Sequence, residues 1–335
     1  MTIAYYVHGR GRGHSSRALS VIHALTGSAL TDIHIYAGRD AYPVLSHAPN
    51  CQPIQSIFPD SSPLTFIRRI IQDFNRLRKL KPNIIISDGD APSVIAARIL
   101  GIYSISIGHA LVFPYCNHSI ELPKAGLRKE NLKVRIATQL SNYKFIVHFC
   151  KLPTRIVNAQ VVRPELNFEP MPTKPFIISY FRDGNGHEIA QHILDKGYRI
   201  KNFGTPILLD GVENVDPNTN LFREAFNEAQ AVISSAGSNV IFEAMAMNKP
   251  LLVLYKRGDF EQMANSKYLE QLEMGVSTYF DDIDINKVNK FLSIIDAFGI
   301  ERNPLEELPV LPEALLQHLD KVISDRNSNT RRTKS

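Results

Sequence analysis

The sequence predicts an α/β protein made of two doubly wound domains with parallel sheets. Short apolar or β-branched runs alternate with amphipathic stretches, this alternation occurs in both halves of the chain, and a proline-rich stretch separates the halves. The 335 residues exceed the size at which one hydrophobic core usually keeps growing. Hydrophobic residues make up 44% and charged residues 21%, which is typical of a folded globular protein.

The first half contains strand, helix, strand units that predict one parallel sheet. The predicted strands are residues 2–7, 32–37, 83–87 and 104–108, and the predicted helices include 16–26 and 92–100. Prolines cluster from 163 to 175, so we place the connection between the domains there. The first domain is predicted at 1–165.

The second half repeats this pattern and predicts a second domain at 174–320. The predicted strands are residues 176–180, 199–203, 231–234 and 251–255, and the predicted helices are 188–196, 222–229 and 239–247. Residues 324–335 are polar and basic, and we predict that they form a disordered tail.

Charge and cysteine content narrow the class of protein. A net charge of +5 suits an anionic ligand, an acidic membrane surface or nucleic acid equally well, but no nucleic-acid-binding module is recognisable. The three cysteines, Cys51, Cys116 and Cys150, are widely spaced and indicate neither a disulfide framework nor a zinc site.

Residues 1–7 lack signal-peptide features and no apolar run is long enough to span a bilayer. We therefore expect a cytoplasmic protein.

Alternating glycines follow the first predicted strand. Gly9, Gly11 and Gly13 precede His14, and the predicted helix at 16–26 follows, capped by Ser15 or Ser16. Glycines allow a ligand to approach the backbone, and imidazole is suited to general base catalysis, although an isolated histidine is more often structural. No acidic residue closes the second strand to bind a ribose, so a nicotinamide cofactor is disfavoured and no cofactor is expected.

A second candidate ligand site lies in the second half. The strand at 231–234 ends in small residues, and Gly237 and Ser238 open the next helix, whose amides are suited to a pyrophosphate. Asn239 and Glu243 are four residues apart and share a helical face. The carboxylate of Glu243 is placed to bind both hydroxyls of a ribose.

These motifs resemble the donor signature of GT-B glycosyltransferases. The order is small-small-x-Gly-Ser-Asn-x-x-x-Glu-Ala, then Pro250, then Glu-Gln-x-x-Asn. It is similar to the family that includes the murein N-acetylglucosaminyl transferase, of the family 28 and family 1 types. The N-terminal Gly-Arg-Gly-His-x-x-Arg-Ala-Leu resembles the acceptor loop of a bacterial and archaeal branch. The resemblance implies a GT-B fold, with two Rossmann-like doubly wound domains facing each other across a cleft.

The resemblance also implies a set of donor-binding residues. The implied donor site consists of Gly237, Ser238 and Asn239 at the diphosphate, Glu243 on the ribose, and Gln262 and Asn265 near the sugar or phosphate. Arg182 is a candidate partner for phosphate, and the loop at 214–217 a candidate site for the base. Many relatives carry His-Gly-Gly where this chain has Ser235-Ala236-Gly237, so a phosphate-binding histidine is missing.

Further candidate residues follow strands of the first half. The acceptor side is expected to include Gly11, Gly13, Asp88 and His109, with His14 as the catalytic base. Asp88-Gly89-Asp90 superficially matches a metal-binding Asp-x-Asp motif, but it has no nucleotide-binding context, and we expect no metal there. A role for Asp88 in orienting His14 or an acceptor hydroxyl and a plain turn are both open.

Basic amphipathic stretches suggest a hypothesis about membranes. Residues 66–81 and 127–135 combine apolar positions with lysines and arginines. Such stretches are usually ordinary surface helices, but with a lipid-linked acceptor they would suit peripheral contact with anionic headgroups at the inner face of the membrane.

The resulting hypothesis is transfer of a hexosyl or N-acetylhexosaminyl group from a nucleotide diphosphate sugar, which we expect to be a UDP-sugar. Inversion and independence of metal are expected, and the acceptor is a glycan, a lipid-linked sugar or a small molecule. Two alternatives remain open, a UDP-sugar 2-epimerase of the same fold and a non-catalytic nucleotide-sugar-binding protein.

Overall fold

The computed structural model describes residues 1–9, 12–27, 32–58, 60–166, 173–181, 186–216, 219–295, 297 and 303–332. The chain divides into two compact units. The first unit contains residues 1–119, 124–165 and the C-terminal segment from 308 onward, and the second contains 120–123 and 166–307.

Strands and helices alternate along both units. The strands are β1 (Thr2–Val7), β2 (Asp32–Gly38), β3 (Cys51–Ile54), β4 (Ile84–Asp88), β5 (Tyr103–Gly108), β6 (Tyr143–Val147), β7 (Ala159–Val162), β8 (Lys174–Ser179), β9 (Arg199–Asn202), β10 (Val212–Asn214), β11 (Ala229–Ser235), β12 (Leu251–Tyr255) and β13 (Gly275–Tyr279). The helices are α1 (Arg12–Thr26), α2 (Tyr42–Leu45), α3 (Pro63–Leu80), α4 (Ala91–Ile99), α5 (Val112–Tyr115), α6 (Lys124–Thr138), α7 (His187–Asp195), α8 (Thr219–Glu228), α9 (Ser238–Ala246), α10 (Phe260–Gln271), α11 (Ile285–Ile295) and α12 (Leu311–Arg332).

The first unit is built on a parallel sheet. Within the described residues its strand order is β3-β2-β1-β4-β5-β6-β7, and the paired strands all run parallel. Residues 3–7 of β1 are fully buried, because helices cover both faces of such a sheet. The strand order reverses direction between β1 and β4, where Val7 lies opposite Asp88. Ligands of doubly wound folds bind at this switch point.

The second unit has the same topology. Its described strands lie in the order β10-β9-β8-β11-β12-β13 and all pairs are parallel. Ile177, Ile233 and Leu254 pack with Phe291 in its buried core. The switch point lies between β8 and β11, so the loop that follows β11 and opens α9 lies at the edge where ligands bind. The predicted α/β class with parallel sheets is therefore confirmed in each unit.

The C-terminal segment differs from the prediction. Residues 324–332, predicted to be disordered, are the end of α12, and the helix belongs to the first unit rather than to a second domain ending at 320. Leu311, Leu315 and Leu319 are buried at four-residue spacing, and α12 packs against α1 and β6. His318 stacks on Tyr143 with ring centroids 3.8 Å apart. The polar end alone does not reveal this apolar stripe, which starts 13 residues before it.

A buried charge network fixes α3 to the first sheet. Arg69 is almost fully buried and bonds to Asp73 in its own helix. Its Nη2 donates to Asp90 at 3.1 Å, and its Nε donates to the Gln55 carbonyl at 3.0 Å. Asp90 follows β4, so the network joins α3 to the turn at the sheet's switch point.

We expect Arg69→Ala to lower the free energy of unfolding of the first unit by about 3–5 kcal/mol, because it leaves the carboxylate of Asp90 buried without its cation. It also leaves Asp73 with Arg76 as its remaining cationic partner. Urea unfolding followed by circular dichroism measures this. Arg78→Ala, on the exposed side of the same helix, is the control and should change the unfolding free energy by less than about 0.5 kcal/mol. Equal effects of the two substitutions would show that the network is not stabilising.

Candidate functional site

His14 and Asp88 meet at the switch point of the first sheet. His14 lies in the first turn of α1, which follows β1, and Asp88 is the last residue of β4. His14 Nδ1 lies 2.6 Å from Asp88 Oδ1. The Asp88 side chain is fully buried, whereas 26% of the His14 side chain is exposed. The structure thus brings together two residues that are 74 positions apart in the sequence.

Arg17 completes this cluster, although no role is predicted for it from the sequence. Its Nε donates to Asp88 Oδ2 at 2.8 Å, and its Nη2 donates to Oδ1 at 2.6 Å. Burial acts to raise the pKa of Asp88, but the charge of Arg17 and the contacts with Arg17 and His14 outweigh it and lower the pKa to about 2. Asp88 is therefore an ionised carboxylate at neutral pH.

The ionised carboxylate determines the tautomer of His14. A carboxylate only accepts hydrogen bonds, so in the neutral form of His14 the hydrogen lies on Nδ1 and the lone pair lies on Nε2. Gly89 follows Asp88 with φ of +78°, and a Cβ there would lie 3.0 Å from Cε1 of the His14 ring. The turn after β4 thus needs glycine for its backbone conformation and for the space taken by the ring.

Asp90, the other carboxylate of this turn, has different partners from Asp88. It caps α4 by accepting a hydrogen bond from the Ser93 amide at 3.1 Å, and it also binds Arg69. The two carboxylates of Asp88-Gly89-Asp90 thus point to separate protein partners. Among the described residues, no group of three or more His, Cys, Asp or Glu side chains is arranged to hold a metal ion.

His109 lies at the same sheet edge, just after β5. Only 6% of its surface is exposed, its Nδ1 lies 2.8 Å from the Val147 carbonyl, and its ring stacks on His148 with centroids 5.5 Å apart. Burial and the neighbouring His109 lower the pKa of His148 well below its usual value. Gly13 lies in the first turn of α1, and Gly11 falls outside the described residues.

In the second unit, α9 begins without a side-chain cap. Gly237 precedes the helix and offers no side chain to its first amides, whereas Asp90 caps α4 and Asp259 caps α10. A Cβ at Gly237 would meet no atom within 4 Å. Ser238 and Asn239 occupy the first turn and are partly buried. The helix start therefore presents amide donors to an open space, which suits an anion.

Glu243 lies on α9, one turn after Asn239. It is partly buried, and burial raises the pKa of its carboxyl to about 7, although Arg223 acts in the opposite direction. The carboxyl of Glu243 therefore changes its protonation state near neutral pH.

The start of α10 is tied to the loop before α9. The Asn265 side chain is buried, and its Nδ2 donates to the Ala236 carbonyl at 3.0 Å. Asp259 accepts from the Gln262 amide at 3.0 Å. The side-chain Oε1 of Gln262 is buried and accepts no hydrogen bond from the described part of the chain. Asn265 thus holds the Gly237 loop, and Gln262 has an acceptor atom left for a ligand.

In the sequence, the remaining candidates follow β8 or begin at the last residue of β10. Asn214 exchanges two hydrogen bonds with the backbone of Ile207, at 2.9 and 2.8 Å, and accepts a third from Asn202. Its amide group therefore holds the protein loop. Arg182, a candidate for phosphate, and Pro217, in the candidate base loop, fall outside the described residues.

We expect Glu243 to make stability depend on pH. Its folded pKa of about 7 exceeds the value of about 4.3 for an exposed glutamate, so folding takes up a proton between these pH values. The stability of the wild type should fall as pH rises through this window. Above the window, the difference in stability between the wild type and Glu243→Gln should no longer change with pH. Thermal unfolding of both proteins from pH 4 to 8 measures the difference. Glu224→Gln, at an exposed position on α8, is the control and should keep the pH dependence of the wild type. Loss of that dependence in Glu224→Gln, or its persistence in Glu243→Gln, would contradict the assignment.

Comparisons with known proteins agree with this architecture. Residues 64–296 match the family described as "Glycosyl transferase family 1". A UDP-N-acetylglucosamine--N-acetylmuramyl-(pentapeptide) pyrophosphoryl-undecaprenol N-acetylglucosamine transferase of Streptococcus agalactiae serotype Ia is 24% identical over 247 residues, which are 68% of this chain and 67% of that protein.

Solved structures resemble the chain along nearly its whole length. MurG of Acinetobacter baumannii has a TM-score of 0.66 at 13% identity and covers 96% of this chain and 99% of its own. A UDP-GlcNAc 2-epimerase of Neisseria meningitidis, bound to UDP-GlcNAc, has a TM-score of 0.66 at 14% identity and covers 96% and 100%. At these identities the structures establish the fold alone. Because the family match spans more than half of the sequence, the chain belongs to glycosyl transferase family 1, and it has the α/β domains of the GT-B glycosyltransferases.

Proposed function

We propose that this glycosyltransferase transfers a sugar from a UDP-sugar to an acceptor hydroxyl with inversion at the anomeric carbon, and that His14 is its general base. The contact of 2.6 Å between His14 and the ionised carboxylate of Asp88 carries the proposal. It leaves Nε2 of a partly exposed imidazole with a lone pair at the ligand-binding edge of the first sheet.

In this reaction the acceptor oxygen attacks the anomeric carbon while the bond from that carbon to the diphosphate oxygen breaks. The hydroxyl proton passes to Nε2 of His14, and Asp88 stabilises the resulting imidazolium through Nδ1. The electron pair of the broken bond stays on the diphosphate. Amides at the start of α9 stabilise that charge, and we propose that transfer needs no metal ion for this reason.

The donor assignment rests on the second unit and on the relatives. Glu243 is placed one helical turn from the uncapped amides of α9, a suitable distance for binding the ribose hydroxyls of a nucleotide whose phosphates bind those amides. The buried Oε1 of Gln262 suits a hydroxyl of the sugar. UDP is favoured because the names of the curated relatives specify UDP-N-acetylglucosamine, so we propose a hexosyl or N-acetylhexosaminyl group.

We also propose that the acceptor is lipid-linked and that the first unit contacts an anionic membrane. Leu132 and Ile136 are 64% and 60% exposed on one face of α6, and Leu140, in the turn after the helix, is 42% exposed. The exposed basic residues Arg128 and Lys129 lie on the same helix. Such a face suits lipid headgroups. None of the described helices is long and apolar enough to cross a membrane.

Part of helix α3 also suits the proposed contact with an anionic membrane. Leu64, Ile67 and Ile71 are exposed on it, together with Arg68. Arg69, which the sequence analysis included among the basic residues, is buried in the network with Asp73 and Asp90 and is not available to a headgroup.

A 2-epimerase is the alternative reaction on the same fold. Elimination and re-addition at the sugar would need carboxylates around the ring, whereas Asp259 is engaged in capping α10. Incubation with UDP-N-acetylglucosamine in the absence of an acceptor separates the two activities, because only an epimerase releases the 2-epimer. A non-catalytic binder would return the substrate unchanged with or without an acceptor.

We expect His14→Ala to bind UDP as tightly as the wild type and to lose about 10²–10⁴-fold in the rate of transfer, the usual contribution of a general base. Glu243→Ala should instead lose UDP binding. Titration calorimetry with UDP and a transfer assay with a lipid-linked acceptor measure the two properties. His23→Ala, at an exposed position on the same helix, is the control. Unchanged turnover in His14→Ala would remove this residue from the reaction.

For the membrane proposal, we expect the protein to sediment at low salt with vesicles of phosphatidylglycerol and phosphatidylcholine, but not with phosphatidylcholine alone. Ile136→Glu should weaken this binding about tenfold, because it removes an apolar contact and adds a negative charge. Val157→Glu changes a residue that is 94% exposed elsewhere in the first unit and should bind like the wild type. Absence of sedimentation with anionic vesicles would refute membrane contact.

A further inference from the structure

Arg17 lies within reach of both partners of the proposed proton transfer. It is three residues after His14 on α1, so the two side chains share one face of the helix. Its guanidinium binds both oxygens of Asp88, at 2.8 and 2.6 Å, and its Nη2 lies 3.4 Å from Nδ1 of His14. Only 8% of the Arg17 side chain is exposed. The imidazole therefore faces a carboxylate and a cation at the same time.

The charges of this cluster balance when His14 is neutral. Asp88 contributes one negative charge and Arg17 one positive charge, so protonation of His14 gives the buried cluster a net positive charge. In a pair of histidine and aspartate alone, the same proton would neutralise the cluster. Because solvent screens buried charges weakly, the cation of Arg17 opposes the formation of imidazolium in the resting protein.

Two other titratable side chains near His14 in the described part of the chain, those of His8 and Tyr5, do not alter this balance. His8 lies at a ring distance of 5.7 Å; burial lowers its pKa, and its Nε2 lies 2.9 Å from the Ile57 carbonyl. Burial and the charge of Asp88 raise the pKa of Tyr5 well above its usual value, although the charge of Arg17 acts in the opposite direction. Both side chains are neutral at pH 7, so Arg17 is the cation that acts on His14 within the described residues.

We propose that Arg17 is a positioning residue that keeps His14 neutral in the resting enzyme and thereby extends proton transfer to lower pH. It does so by holding Asp88 in one orientation with two hydrogen bonds and by opposing premature protonation of the imidazole. This proposal rests on the assignment of His14 as the general base. Its first effect, on the imidazole itself, is measurable without any substrate.

The test is an NMR titration of the His14 ring in the wild type and in Arg17→Gln. Removal of the cation leaves the charge of Asp88 unbalanced, so the ring should titrate at a pH about 1 unit higher. The acid limb of the pH profile of kcat/KM should move in the same direction. Arg17→Lys keeps a cation without the paired hydrogen bonds, and its ring titration should remain close to that of the wild type.

A matched set of variants separates charge from damage to the fold. Asp88→Asn leaves Arg17 unbalanced and should move the ring titration to lower pH, opposite to Arg17→Gln. The double variant Arg17→Gln with Asp88→Asn restores a net charge of zero and should return the titration towards that of the wild type.

An unchanged titration in folded Arg17→Gln, or shifts of the same sign in the two single variants, would overturn the proposal. The double variant supplies the decisive comparison if Arg17→Gln does not fold, since a titration far from that of the wild type would also overturn it. If His14 shows the expected shifts while His14→Ala keeps full transfer activity, the assignment of the general base fails and the electrostatic effect of Arg17 stands.

Discussion

Burial of the Asp88 carboxylate is the constraint around which the proposed acceptor side is organised. An ionised carboxylate without partners would be costly at a fully buried position. Two donors from Arg17 and one from His14 compensate for the lost water, and they require that the first turns of α1 pass directly over the end of β4. Gly89 supplies the turn that leaves room for the imidazole. The local backbone and the proposed chemistry therefore depend on the same three hydrogen bonds.

The two units share a strand order around the switch point but place different chemical groups at its ligand-binding edge. Both sheets reverse their strand order between the first and fourth strands and open loops at the same edge. In the first unit charged side chains fill this position, which suits the proposed proton transfer. In the second unit a glycine precedes α9 and leaves the amides of the helix to face a ligand, which suits an anion that only accepts hydrogen bonds. The difference corresponds to the two proposed ligands, because the acceptor gives up a proton whereas the diphosphate accepts hydrogen bonds.

The sequence predicted what depends on local pattern. Buried apolar strands, the glycines before α1 and the Gly-Ser-Asn start of α9 are each readable within ten or so residues. The bond between His14 and Asp88 could be expected only as one option, since it joins positions 74 residues apart. Arg17 was missed because the predicted helix began at residue 16, whereas α1 begins at Arg12 and places His14 and Arg17 on one helical face. The docking of α12 on the first unit depends on a tertiary surface that no local pattern describes.

The proposed donor side contains several groups that are poorly satisfied in the free protein. Burial raises the pKa of Glu243, Oε1 of Gln262 accepts no hydrogen bond within the described chain, and α9 has no side-chain cap. Each feature weakens the folded state a little, and each would be relieved by a nucleotide sugar that offers hydroxyl donors and phosphate oxygens. These features of α9 and α10 suit the proposed donor site.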